Sequence, residues 1–312
     1  TISYTTLLIL FLFIIMRYLL NYIILLALSF PIHNAKTQDN HLALPSEIEL
    51  KGNIRREEFK TELGLVQMRG PRTVERDFGR TPSRAVQESM RATARVLKRA
   101  SVPLRLRDLN VKWNFIFLDE NLPETQIPNY LINNCHPGWM TPPANIYIVG
   151  KRVAKGCEKS SSSNTSVADE RLIEILLHEI GHVVEYYLLP IENRPLVNQH
   201  RRTQSEGFAS WYEILASKET SLLKHERQVK KKIDFVKMRY DNEFVFMYGD
   251  AVDYSRASLY FLALERRLGT QSIFEVYDVM YKEKVDMFTA IHKRYNWKKD
   301  RLEAEVKKLV YE

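Results

Sequence analysis

Two cysteines, Cys135 and Cys157, are too few for a disulfide scaffold or a four-thiolate metal site. Any metal must therefore rest mainly on histidine and carboxylate. Glycine and proline are scarce too, at 11 and 12 of 312 residues, which excludes collagen-like and low-complexity chains. There is no internal repeat and no nucleic-acid-binding motif, so a solenoid and a nucleic-acid partner are both set aside. What remains is 45% hydrophobic and 27% charged, enough apolar surface to build a sizeable core. The net charge of +8 bears on solubility and on encounter with anionic surfaces, and by itself names no partner.

The chain opens on a long apolar run, Leu7 to Phe30, broken by Arg17 and Asn21. At the usual ~20 residues it is long enough to span a bilayer. Two readings compete over residues 1–35: a signal peptide starting from Met16, with small-residue exits at Ala27 to Ser29 or Ala35, and an uncleaved membrane anchor. Both imply export, to a secreted, periplasmic or membrane-anchored place outside the cytoplasm. In oxidising surroundings Cys135 and Cys157 are expected to pair, with two free thiols as the alternative. Asn164-Thr165-Ser166 matches a glycosylation sequon, relevant only in a eukaryotic secretory pathway.

Residues 36–80 are polar and interrupted by Pro45, Gly52, Gly64, Gly70 and Pro71, and read as a linker or pro-like segment with one short helix near 54–63. From 81 to 312 the pattern is that of a folded domain. Thr81-Pro82 opens an amphipathic helix to Arg99. Strands are expected at 111–118 and 145–149, flanking a long loop over 119–144. Beyond a Ser-rich loop nearly everything reads as helix: 167–189, 204–218, 221–239, 250–268, 271–282 and 297–311. A few strands followed by many helices make an α+β fold weighted toward helix.

The chemistry is concentrated in the helix over 167–189, which contains His178-Glu179-Ile180-Gly181-His182. Histidines four apart stack on one helix face, roughly 6 Å apart, so their ring nitrogens can converge on one zinc ion. Glu179 lies beside them without being a ligand, placed to take a proton from the zinc-bound water and pass it to a leaving amine. Gly181 costs about 1 kcal/mol against Ala in a helix, which suggests a second backbone close by. A third ligand is needed. Glu206, in Ser205-Glu-Gly-Phe-Ala-Ser-Trp-Tyr212, is the candidate; the competing role is the capping box Thr203-Gln-Ser-Glu206, and Asp250 or Asp253 is the fallback ligand.

His178 to His182 followed by Ser205 to Tyr212 resembles the gluzincin metallopeptidases, most of all their compact peptidase MA-like branch, in which an E-G-x-A motif on a second helix carries the glutamate ligand. Tyr254 to Leu262 and Arg267-Leu-Gly269 extend the similarity, which covers roughly residues 82–290. The resemblance implies a zincin-like fold, with a small sheet packed on the active-site helix and one zinc per chain held by His178, His182 and Glu206. It implies cleavage of a peptide laid along an edge strand, here assigned to Asn145–Val149. Tyr254, with Tyr248 second, is the oxyanion stabiliser it suggests. The thermolysin-like members carry Asp four residues after the ligand glutamate; this chain has Ser210, which leaves Glu185 or a backbone carbonyl to accept from a zinc-bound histidine.

The expected function is thus an exported zinc metallopeptidase acting on a peptide or protein. Two alternatives stand beside it: a zinc hydrolase of a non-peptide amide, and a zinc-binding, non-peptidolytic module. The second would use the basic run Lys224 to Arg239, with seven Lys or Arg against two acids, to hold an anionic membrane or polymer surface.

Overall fold

The computed structural model describes residues 53–72, 82–100, 102, 111–118, 137–150, 153, 165–190, 201–238 and 251–312. The chain divides into two units, 1–47 and 48–312, and every described residue belongs to the second. The apolar segment of 1–35, the cysteine pair, Asn164 of the sequon, Tyr248 and Asp250 all lie outside the described residues. Among the described residues no helix is long and apolar enough to cross a membrane.

Five strands form one mixed sheet: β1 (Ile54–Thr61), β2 (Gly64–Pro71), β3 (Trp113–Leu118), β4 (Gly138–Thr141) and β5 (Asn145–Val149), in the order β1-β2-β3-β5-β4. The outer pairs are antiparallel, while β2, β3 and β5 run parallel. The linker reading of 36–80 is corrected over residues 54–71. Residues 54–61 are a strand rather than a short helix, and the hairpin β1–β2 belongs to the sheet. The turn between them closes on Thr61, whose hydroxyl donates to Gly64 O at 3.0 Å and accepts from Leu63 N, and Gly64 takes a φ of +112° that favours glycine. A second correction concerns the edge. β5 lies inside the sheet, and among the described strands β4 forms an edge.

The register explains how the sheet makes a core. Val66 pairs with Trp113, Met68 with Phe115, Phe115 with Ile146 and Phe117 with Ile148, so one face presents a continuous apolar surface. Against it pack α1 (Pro82–Arg99) and α2 (Thr165–Leu188). At the β4 edge Gly138 meets α2 directly: a Cβ there would sit 2.9 Å from Ile175 Cγ2.

The rest is helical: α3 (Arg201–Ser217), α4 (His225–Lys237), α5 (Ala251–Leu268), α6 (Gln271–Glu283), α7 (Met287–Tyr295) and α8 (Lys299–Tyr311). The chain is therefore α+β and mostly helical, as its pattern implies. Helix α5 is central, packing on α3, α4, α6 and α8, and Leu259 to Leu264 is a fully buried run with no polar face. Helix α7 fell outside the expected helices; Asp286 caps it, accepting from Thr289 N at 3.0 Å and from its hydroxyl at 2.6 Å.

Candidate metal centre

Two helices build the site. Helix α2 buries Leu172, Ile173, Leu176, Leu177, Ile180, Val183 and Val184, which fixes its rotation and turns His178 and His182 toward α3. Helix α3 comes close because both partners are small at the joint. A Cβ on Gly181 would lie 2.9 Å from Ala209 Cα, and one on Gly207 would lie 2.4 Å from Ala257 Cβ on α5. Gly181 thus has the close backbone neighbour that its presence in a helix suggests.

His178, His182 and Glu206 come together, each offering a donor atom within 4.8 Å of the other two, a grouping that could hold a metal ion. Glu206 Oε2 lies 3.2 Å from His178 Nε2 and 3.6 Å from His182 Nε2, and the imidazole centroids are 4.9 Å apart. The capping role for Glu206 is excluded, because α3 begins at Arg201 and Glu206 sits in its second turn. Asp253, in the first turn of α5, is not part of the group.

The electrostatics are those of a tightly coupled, partly buried cluster. Burial opposes ionisation of Glu206, but hydrogen bonds from His178 and His182 outweigh it and hold the carboxyl well below its ordinary range. Burial likewise disfavours a charged His182, yet Glu206, Glu179 and Glu185 together push it up to about 9. Glu179 is 6% exposed and lies outside the donor group. Burial raises its carboxyl above the ordinary value, against the opposing pull of His178 and His182.

No family model matches the chain, and no curated protein matches it. The site therefore has to be read from its own geometry. Behind the donors stands an outer set of side chains that the sequence did not single out together. His182 Nδ1 lies 3.1 Å from Ser205 Oγ, and the Ser205 hydroxyl donates to Glu185 Oε2. Glu185, which with a backbone carbonyl is one of the two acceptors expected for a histidine ring, reaches His182 through Ser205. His178 Nδ1 faces Glu213 Oε2 at 3.8 Å, and Glu213 is ion-paired with Lys232 at 3.5 Å. Glu213 thus stands on the Nδ1 side of His178. Its signal was present in the sequence: a charged residue inside the apolar run Trp211 to Ala216, seven positions after Glu206 and hence on nearly the same helix face.

Two other candidates are placed without joining the group. Tyr254 lies in the first turn of α5, with the Arg202 guanidinium 6.0 Å from its ring centroid. The basic run forms α4, and much of its charge is matched from neighbouring helices. Arg227 pairs with Glu170, Lys231 with Glu174 and Lys232 with Glu213, while Lys230 pairs with Asp234 within α4.

Proposed function

We propose that the chain is a zinc-dependent metallopeptidase of the gluzincin type, acting outside the cytoplasm on a peptide or protein. The observation that carries this reading is the convergence of His178, His182 and Glu206 on one point, with buried Glu179 beside them. Two imidazoles and one carboxylate are a donor set suited to a catalytic zinc site, which keeps its fourth position open. Zinc bound there would polarise the scissile carbonyl and make an attacking water more acidic.

The remaining work falls to side chains and backbone. Glu179 takes the proton from the attacking water and delivers it to the departing amine, and its burial keeps bulk water from competing for that proton. Strand β4 offers the backbone edge. Val149 N donates to Pro137 O at 2.8 Å, and Trp139 pairs opposite Tyr147, so the alternate residues Gly138 and Met140 turn their backbone groups outward. An extended peptide adding to this edge would lie alongside α2, against which Gly138 packs. Tyr254 is the proposed oxyanion donor.

The test has two parts. The exhaustively dialysed protein should retain about one zinc per chain by elemental analysis. Glu179→Gln should keep that zinc while hydrolysis of a peptide library falls about 10²–10⁴-fold. A folded, zinc-free wild type overturns the reading, and undiminished turnover by Glu179→Gln overturns the role of Glu179.

A further inference from the structure

Glu185 is a buried carboxylate that the proposed reaction does not use. It is 3% exposed, three residues after His182 on α2, and no Lys or Arg among the described residues is paired with it. Such a group is costly unless hydrogen bonds and a nearby positive charge compensate it. Its two oxygens are each given a donor. Oε1 accepts from the Tyr277 hydroxyl on α6 at 2.8 Å, and Oε2 accepts from Ser205 on α3. Tyr277 in turn accepts from Gln204 Nε2 at 3.4 Å. The chain of contacts therefore runs from α6 through α2 and α3 and ends on His182.

The direction of donation along it is fixed by chemistry. The Ser205 hydroxyl donates to Glu185 Oε2, so its hydrogen points away from the imidazole. Ser205 Oγ can then only accept from the ring at 3.1 Å, which requires the hydrogen on His182 Nδ1. Nε2, on the far side of the imidazole, faces Glu206. The geometry points to Ser205 and Glu185 as positioning residues of the metal centre: a hydroxyl-bridged relay that sets the tautomer and orientation of His182, anchored on α6 by Tyr277. It does for His182, through one intervening hydroxyl, what a carboxylate touching a metal-bound histidine does directly. A cation held on the Nε2 side of His182 would supply the compensating positive charge for Glu185.

This inference rests on the metal-centre reading above, and the experiment separates the two. Zinc affinity of the full chain is measured by competition with a chromophoric chelator, and the site geometry by the absorption spectrum of the cobalt(II) form. Ser205→Ala and Glu185→Gln should each bind zinc about 10–100-fold more weakly than wild type. Both should show an altered cobalt spectrum, whereas Ser205→Thr, which keeps the hydroxyl, should restore both readouts. Glu185→Gln preserves side-chain volume, so it decides the matter if Ser205→Ala fails to fold. Wild-type affinity and spectrum in both variants overturn the relay while leaving the metal centre intact. A wild type that takes up neither zinc nor cobalt overturns the metal centre and the relay with it.

Discussion

Gly207 lets α3 settle against α5, and the space it leaves is already full: a methyl there would meet Ala257 Cβ at 2.4 Å and its carbonyl carbon at 2.9 Å. Gly207→Ala should therefore destabilise the protein by about 1–3 kcal/mol, the usual cost of overpacking. Urea unfolding would measure it, and adding Ala257→Gly should recover part of the loss by removing the closest contact. At this scale the sequence was most legible where spacing alone fixes a shared face. His178 and His182 stand four apart on one helix, and Glu206 follows with a glycine beside it. Ser205 and Tyr277 were not legible, because they are joined to His182 by hydrogen bonds across three helices and no local pattern marks them. Glu213 stood out only as a charge in an apolar run, and its meaning depends on Lys232 reaching it from α4.

Helix α4 shows how an element's charge can be directed inward. Glu174 on α2 accepts from Lys231 Nζ at 2.8 Å and Gln228 Nε2 at 2.7 Å. Burial pushes the Glu174 carboxyl up, but Lys231, Gln228 and Lys232 more than offset it, so its folded value is depressed. The unfolded chain then binds this proton at a higher pH than the folded one. Its stabilisation is present above the ordinary carboxylate pKa of about 4.3 and is lost as pH falls through the depressed value. Melting temperatures recorded from pH 7 to pH 3 should show a shallower acid limb in Glu174→Gln than in wild type. Elements were legible where they carry an apolar stripe and obscure where they do not. Strand β1 is an edge strand whose sequence alternates charge with charge, Arg55 to Glu58, and only Phe59 packs toward the core. Charges of that kind protect an edge from foreign pairing, and they also hide a strand from a search for hydrophobic periodicity. Strand β4 has four residues, too few to show a period, and its place is set by pairing with β5.

For the whole molecule, His178, His182 and Glu206 bring α2 and α3 together at one point, so on the proposed reading zinc binding should be linked to global stability. At free zinc 100-fold above the dissociation constant, a ligand that binds only the folded state adds about 2.7 kcal/mol. Chelation should lower the melting temperature accordingly, and in Glu206→Ala the zinc-dependent increment should shrink, as calorimetry with and without zinc would show. The helical weighting and the α+β class were visible in the order of the patterns, but the extent of the domain was not. Its first strands precede the helix that looked like its beginning, and they are tied to β3 by a contact far apart in sequence. Trp113 Nε1 donates to Leu63 O at 2.9 Å, and Val111 N reaches the same oxygen at 3.3 Å. That single carbonyl has a practical meaning for anyone trimming the protein. A fragment cut at residue 81 would strand a fully buried indole donor without its acceptor and bare the flank of β3, so the smallest piece worth purifying starts ahead of residue 54.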